Sequence, residues 1–102
     1  MKLLLVCGAG MSSSLLMNKM QEYLKEIGEE DSEVNAVSML RYQMVYKDYD
    51  VMLLGPQIAY TLKGTMKNIE IPYDVMNRLD YGRANCTNIW KQAKKLYEKA
   101  GK

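Results

Sequence analysis

Histidine is absent from the 102-residue sequence. That removes the commonest general base and the commonest metal ligand, and with them any Cys-His or Ser-His-Asp arrangement drawn from this chain alone. No phosphohistidine can form on it either, so covalent chemistry must use another nucleophile or a histidine supplied by a partner. Cysteine is almost as scarce: Cys7 and Cys86 are the only two, too far apart to suggest a disulfide framework or a metal site, and they suit a reducing cytosol. No metal and no cofactor are expected. A charge imbalance is also lacking. The net charge of +2 gives no reason to expect nucleic acid or a membrane surface as a partner.

Long apolar runs are missing too. No segment approaches the roughly 18 consecutive apolar residues of a membrane span. The opening "MKLLLVC" resembles an export signal or a lipoprotein box, but its apolar run covers only Leu3 to Val6. A signal needs roughly 7–15 such residues, and Val6 is too bulky to precede a lipidated cysteine. A cytoplasmic protein is expected. What is present is ordinary for one soluble domain spanning 1–102: 48% hydrophobic and 25% charged residues.

Residues 2 to 7 form a continuous apolar run, the pattern of a strand buried on both faces. Beyond Gly8 and Gly10, apolar residues at Leu16, Met20, Tyr23, Leu24 and Ile27 follow helical spacing, with Gly28 as a C-terminal cap. "VNAVS" (34–38) predicts a second strand, and "LRYQMVYKD" has room for a short helix. "VMLLG" (51–55) is a second wholly apolar strand. Pro56 follows it, where a first helical position tolerates proline, with Ile58, Leu62, Met66 and Ile69 at helical intervals. "PYDVM" (72–76) reads as an edge strand because proline cannot donate to a ladder. Ile89, Ala93, Leu96, Tyr97 and Ala100 mark a last helix with lysines on its other face.

Four alternations of strand and helix predict an α/β fold: a small doubly wound, four-stranded parallel sheet of order 2-1-3-4 with helices on both faces. Ligands of such sheets bind beyond the carboxyl ends of the strands where the winding reverses, and Cys7 falls there. The loop after it, Gly8-Ala9-Gly10-Met11-Ser12-Ser13-Ser14, joins a strand to a helix through glycines. Its backbone amides and the positive end of the helix dipole suit an anion. The serines can cap the helix and donate hydroxyl hydrogen bonds. A cysteine at a helix N-terminus has a lowered pKa, so Cys7 is the expected reactive thiol. Cys86, at the start of the last helix, reads as a small buried or half-buried residue. Met11 is either packed back on the domain or an adaptable contact for partners.

Several anion-binding classes fit this loop poorly. A dinucleotide fingerprint needs a third glycine and an acid after strand 2, and a P-loop needs a lysine before Ser or Thr. A receiver domain needs acids at the ends of strands 1 and 3. A cysteine-loop phosphatase or arsenate reductase needs arginine six residues after the cysteine, where Ser13 stands, and an Asp-Pro acid, of which Asp80-Tyr81 is a faint echo. The loop looks able to hold a phosphoryl group and poorly equipped to hydrolyse it, which suggests a carrier.

"CGAGMSSSLL" resembles the phosphocysteine loop of the enzyme IIB components of the bacterial phosphoenolpyruvate-dependent sugar phosphotransferase system, lactose/cellobiose branch. "VMLLGPQIAYTL" resembles that family's third strand and following helix, and Tyr81-Gly82-Arg83 its Tyr-Gly-basic turn. Asn77 departs from an acid that the family often has, and "ANC" replaces an Asp-Gly. Both departures lie outside the phosphoryl loop.

The resemblance implies a fold similar to the low-molecular-weight phosphatases. It also implies a relay: phosphohistidine on a IIA partner phosphorylates Cys7, with Gly8 to Ser14 holding the phosphoryl group. Phospho-Cys7 then passes it to a β-linked disaccharide taken up by the membrane component IIC. Docking at the inner face of the membrane would be transient, and a monomer suits such a shuttle.

Overall fold

The computed structural model describes residues 1–8, 11–29, 31–58 and 69–100. Four strands, β1 (Lys2–Cys7), β2 (Glu33–Ser38), β3 (Val51–Leu54) and β4 (Tyr73–Val75), form one sheet of order β2-β1-β3-β4. All pairings are parallel, with Cys7 opposite Ser38 and Val6 opposite both Val37 and Leu54. The expected topology is the observed one.

Burial explains why β1 and β3 are apolar throughout: Leu3 to Cys7 and Val51 to Leu54 are all buried. Side chains alternate across the sheet, so β1 contributes to two cores. Leu3 and Leu5 join Leu16, Met20 and Leu24 of α1 (Met11–Glu26) and Ile89, Trp90 and Ala93 of the last helix. On the other face Leu4 and Val6 meet Tyr42, Tyr46, Met52, Leu54 and Ile58. Tyr42 opens a four-residue helix, α2 (Tyr42–Val45), and Tyr46 opens the 3-10 turn Tyr46–Asp48. The short helix expected in "LRYQMVYKD" is therefore these two pieces, whose buried tyrosines sit one helical turn apart.

The two outer strands are less buried, and β4 is exposed at all three positions. The Pro72 carbonyl accepts from Met52 N at 3.0 Å, a pairing that asks nothing of the missing proline N–H. Helical residues begin at Pro56, as expected; the continuation expected through Leu62 and Met66 falls on 59–68, outside the described residues.

α1 starts at Met11, so Ser12 to Ser14 occupy its first turn and not a capping position. It ends as Gly28 predicts: Gly28 has φ +79°, Glu29 N donates to Leu24 O at 2.8 Å and Gly28 N to Lys25 O at 3.3 Å. That is a Schellman cap.

A helix the sequence pattern did not suggest, α3 (Arg78–Arg83), contains Tyr81-Gly82-Arg83, read above as a turn. The side chain of Asn77 caps it, accepting from Leu79 N at 2.9 Å and Asp80 N at 3.2 Å. It closes with Asn85 N on Asp80 O and Ala84 N on Tyr81 O, and Ala84 takes the left-handed conformation, φ 52°. Asn85 then caps α4 (Cys86–Lys99), accepting from Asn88 N. The amphipathic α4 buries Ile89, Trp90 and Ala93 and turns Lys91, Lys94, Lys95 and Lys99 outward.

Candidate functional site

The carboxyl ends of the strands converge on Cys7. Its carbonyl accepts from Met39 N just beyond β2 at 2.8 Å, and the neighbouring Val6 carbonyl accepts from Gly55 N just beyond β3 at 2.8 Å. The chain on either side of β1 is thereby pinned at the level of the cysteine. The connection leaving β1 runs close to that leaving β3: a Cβ added to Gly8 would lie 3.1 Å from Ile58 Cγ2. Glycine is what permits this approach.

Cys7 is 1% exposed. Burial alone opposes ionisation of a thiol, so hydrogen-bond donors and the helix dipole must offset it if a thiolate is to form. α1 begins four residues later, and the first-turn amides of Met11, Ser12 and Ser13 have no acceptor within the helix. No acidic residue occupies that turn to compete for them. Ala9 and Gly10 lie outside the described residues, and Ser14 is exposed. Of the proposed phosphate loop, the described positions are thus Gly8, the backbone of Met11 to Ser13, and Ser14.

One contact of Cys7 escaped the sequence pattern. The Tyr81 hydroxyl, on α3, donates to Cys7 Sγ at 3.9 Å, within reach for a large polarisable acceptor, and Gln57 Nε2 donates to the Tyr81 oxygen at 3.0 Å. Cys7 at the end of β1, Gln57 beyond β3 and Tyr81 beyond β4 are thereby linked in one chain of hydrogen bonds. The sequence signal for it was that Tyr81-Gly82-Arg83 and the Gln57-containing "VMLLGPQIAYTL" both resemble family motifs, which does not say what their side chains touch. Asp80, the faint echo of a phosphatase acid, accepts from Asn88 Nδ2 at 3.1 Å.

Cys86 takes the role expected of it. It is partly buried, its thiol donates to Ala84 O at 3.6 Å, and burial pushes its pKa up. An open concavity of about 680 Å³, lined by Gln21, Leu24, Lys25, Glu29 and the start of β2, lies elsewhere. Val34 in that lining pairs with Leu3, four residues along the strand from Cys7, so the concavity belongs to the amino end of the sheet. Among the described residues, no group of His, Cys, Asp or Glu could hold a metal ion. None of the described helices is long and apolar enough to cross a membrane.

The loop, the sheet order and the position of Cys7 can be set beside known proteins. The family model for the PTS system, lactose/cellobiose-specific IIB subunit, matches residues 2–92. The chain belongs to that family.

Its relatives include the oligo-beta-mannoside-specific EIIB component of Bacillus subtilis, 36% identical, covering 93% of this chain and 94% of that one. The cellobiose-specific EIIB component of Lactococcus lactis subsp. lactis is also 36% identical, covering 90% and 92%. The solution structure of a cellobiose-specific phosphotransferase IIB component from Borrelia burgdorferi superimposes with a TM-score of 0.80 at 32% identity. It covers 97% of this chain and 93% of its own. IIB components are phosphotransferase subunits of a sugar-transport system, and this chain is one of that lactose/cellobiose type.

Proposed function

We propose that the chain is a phosphoryl carrier working through Cys7. A phosphohistidine on a IIA partner is the donor; the Cys7 thiolate attacks phosphorus, the S–P bond forms and the P–N bond breaks, its electron pair returning to the imidazole. In the second transfer a hydroxyl of a β-linked disaccharide, taken up by the membrane partner IIC, attacks phospho-Cys7. The S–P bond then breaks with its pair on sulfur, and the proton of the attacking hydroxyl passes to the released thiolate or to solvent. Both events are displacements in which positioning and electrostatic stabilisation do most of the work.

The observation that carries this reading is the placement of Cys7. It ends the central strand β1, beside β3 and four residues ahead of an α1 N-terminus without acidic residues. The amides of Gly8 to Ser14 would hold the phosphoryl oxygens, as backbone N–H groups do at helix starts. The sequence has no histidine, so the donor histidine comes in trans. Ser13 stands where a hydrolase would need arginine, so nothing over-stabilises the bound phosphoryl group and its hydrolysis is slow.

At 1% exposure the sulfur must be uncovered when the donor docks, because in-line attack needs sulfur and phosphorus about 3–3.5 Å apart. Leu15, Leu40 and Leu79, all strongly exposed, follow the carboxyl ends of β1, β2 and β4, where such a partner would approach. The protein would act in the cytoplasm, visiting the membrane through IIC. The sugar is of the cellobiose, lactose or chitobiose type; relatives of equal identity carry different sugar names, so the choice within this class rests with the membrane partner.

The test is to phosphorylate the protein through its IIA, remove the donor, and follow the phosphoryl group with and without membranes containing IIC and sugar. Slow loss alone and rapid transfer to sugar with IIC are expected, and Cys7→Ser should abolish sugar phosphorylation. Rapid spontaneous release of inorganic phosphate would overturn the carrier reading in favour of hydrolysis.

A further inference from the structure

The Gln57–Tyr81–Cys7 chain of hydrogen bonds lies outside the phosphate loop and has a chemistry of its own. We propose that Tyr81 stabilises the Cys7 thiolate by donating its hydroxyl hydrogen to the sulfur, and that Gln57 positions that hydroxyl for the task. This rests on the carrier reading for its purpose, and on the geometry alone for its content.

A tyrosine hydroxyl carries one hydrogen and can give it to one principal acceptor. The Gln57 amide nitrogen donates to the Tyr81 oxygen at 3.0 Å, and the Tyr81 hydroxyl donates in turn to Cys7 Sγ at 3.9 Å. A hydroxyl that accepts one hydrogen bond also becomes a stronger donor in the next. Neither residue exchanges a proton: Tyr81 keeps its hydrogen, and no covalent bond forms or breaks at either side chain.

The bond matters whenever the sulfur is anionic, before attack on the phosphohistidine and again when it departs from phosphorus. For a cysteine that is 1% exposed, a hydrogen bond to the charged form is one of the few ways to offset burial. The donor is also held firmly. α3, which carries Tyr81, is capped by Asn77 and closed by Asn85 N on Asp80 O, and the Asp80 carboxylate is tied to Asn88 of α4. Gln57 is anchored independently, in the helical residues after β3. Three strand ends thus contribute to the state of one thiol.

Tyr81→Phe keeps the ring and removes the donor. Gln57→Met keeps the length of an exposed side chain and removes only the amide. Each full-length variant would be alkylated with iodoacetamide across a pH range, with Cys7 and Cys86 read separately from their peptides by mass spectrometry. Cys86 serves as the internal control.

Losing a hydrogen bond to a charged group shifts a pKa by about one to two units at ideal geometry, and the contact to sulfur is long. Tyr81→Phe should therefore raise the Cys7 midpoint by about half a unit to one unit and leave Cys86 unmoved. Gln57→Met should raise it by less. The double variant should go no further than Tyr81→Phe, because Gln57 acts through the tyrosine. Restoring tyrosine at 81 should restore the midpoint.

A purely structural role for Tyr81 would alter the limiting rate of alkylation and leave the midpoint in place. A midpoint unmoved by Tyr81→Phe overturns the proposal, as does a shift from Gln57→Met that adds fully to it. Should Tyr81→Phe fail to fold, a midpoint unmoved in Gln57→Met overturns the relay. A wild-type Cys7 that titrates like a free thiol defeats the carrier reading instead, so the two failures are told apart.

Discussion

Gly8→Ala separates the close approach of two connections from every other reason for a glycine beside Cys7. The backbone there is not left-handed, since Gly28 alone among the described glycines has a positive φ, so alanine incurs no backbone strain at position 8. The cost is steric. A Cβ would sit 3.1 Å from Ile58 Cγ2, against about 3.5–4.0 Å for a relaxed carbon contact. Ile58 is 3% exposed and packed among Leu4, Val6, Tyr42, Met52 and Leu54, so it has little room to retreat.

Overpacking of this kind costs about 1–3 kcal/mol, while replacing glycine returns about 0.4–1 kcal/mol through the unfolded chain. The net destabilisation is about 1 kcal/mol. With a urea m-value of about 1–1.5 kcal/mol/M, that lowers the midpoint by roughly 0.7–1 M.

The assay is urea unfolding followed by the fluorescence of Trp90, the single tryptophan and a buried one. Ile58→Leu moves the branch from Cβ to Cγ and removes the clashing methyl. In that background Gly8→Ala should be neutral or mildly stabilising, giving a coupling of about 1 kcal/mol. An equal cost in both backgrounds would refute the steric account.

Three further outcomes follow from the same structure. Ala84→Gly should raise stability by about 0.5 kcal/mol in urea unfolding, because alanine occupies the left-handed closing position of α3 that glycine adopts without strain. Cys86 should alkylate with a midpoint above that of a free thiol, because burial raises its pKa, as the pH dependence of iodoacetamide labelling would show. Glu29 is held below the ordinary carboxylate range by hydrogen bonds from Lys94 and then Ser32. Its contribution is therefore present above that range and lost as pH falls through the lowered pKa. The difference in urea midpoint between wild type and Glu29→Gln should be small at neutral pH, the pair being exposed, and vanish in acid.

The sheet was readable because β1 and β3 are buried on both faces and therefore apolar at every position, while Pro72 marked the exposed edge. Gly28 and Pro56 announced a helix end and a helix start for local reasons that tertiary structure did not override. α3 was not readable: six residues with Gly82 inside, an exposed Leu79 and no buried side chain offer no apolar period, and only Asn77 hinted at a cap. Cys7 was legible as a candidate site because strand, glycines and helix are consecutive in sequence. Tyr81 and Gln57 were not, because they meet Cys7 only through the fold, 74 residues separating the tyrosine from the sulfur it faces.

The central claim is that Cys7 carries the phosphoryl group. The direct measurement is to incubate the protein with phosphoenolpyruvate, the general phosphotransferase proteins and its cognate IIA, then record intact and peptide masses. One added phosphoryl group on the Cys7 peptide, absent in Cys7→Ser, is the predicted result. A phosphoryl group on any other residue, or none with any IIA of the lactose/cellobiose branch, would contradict it.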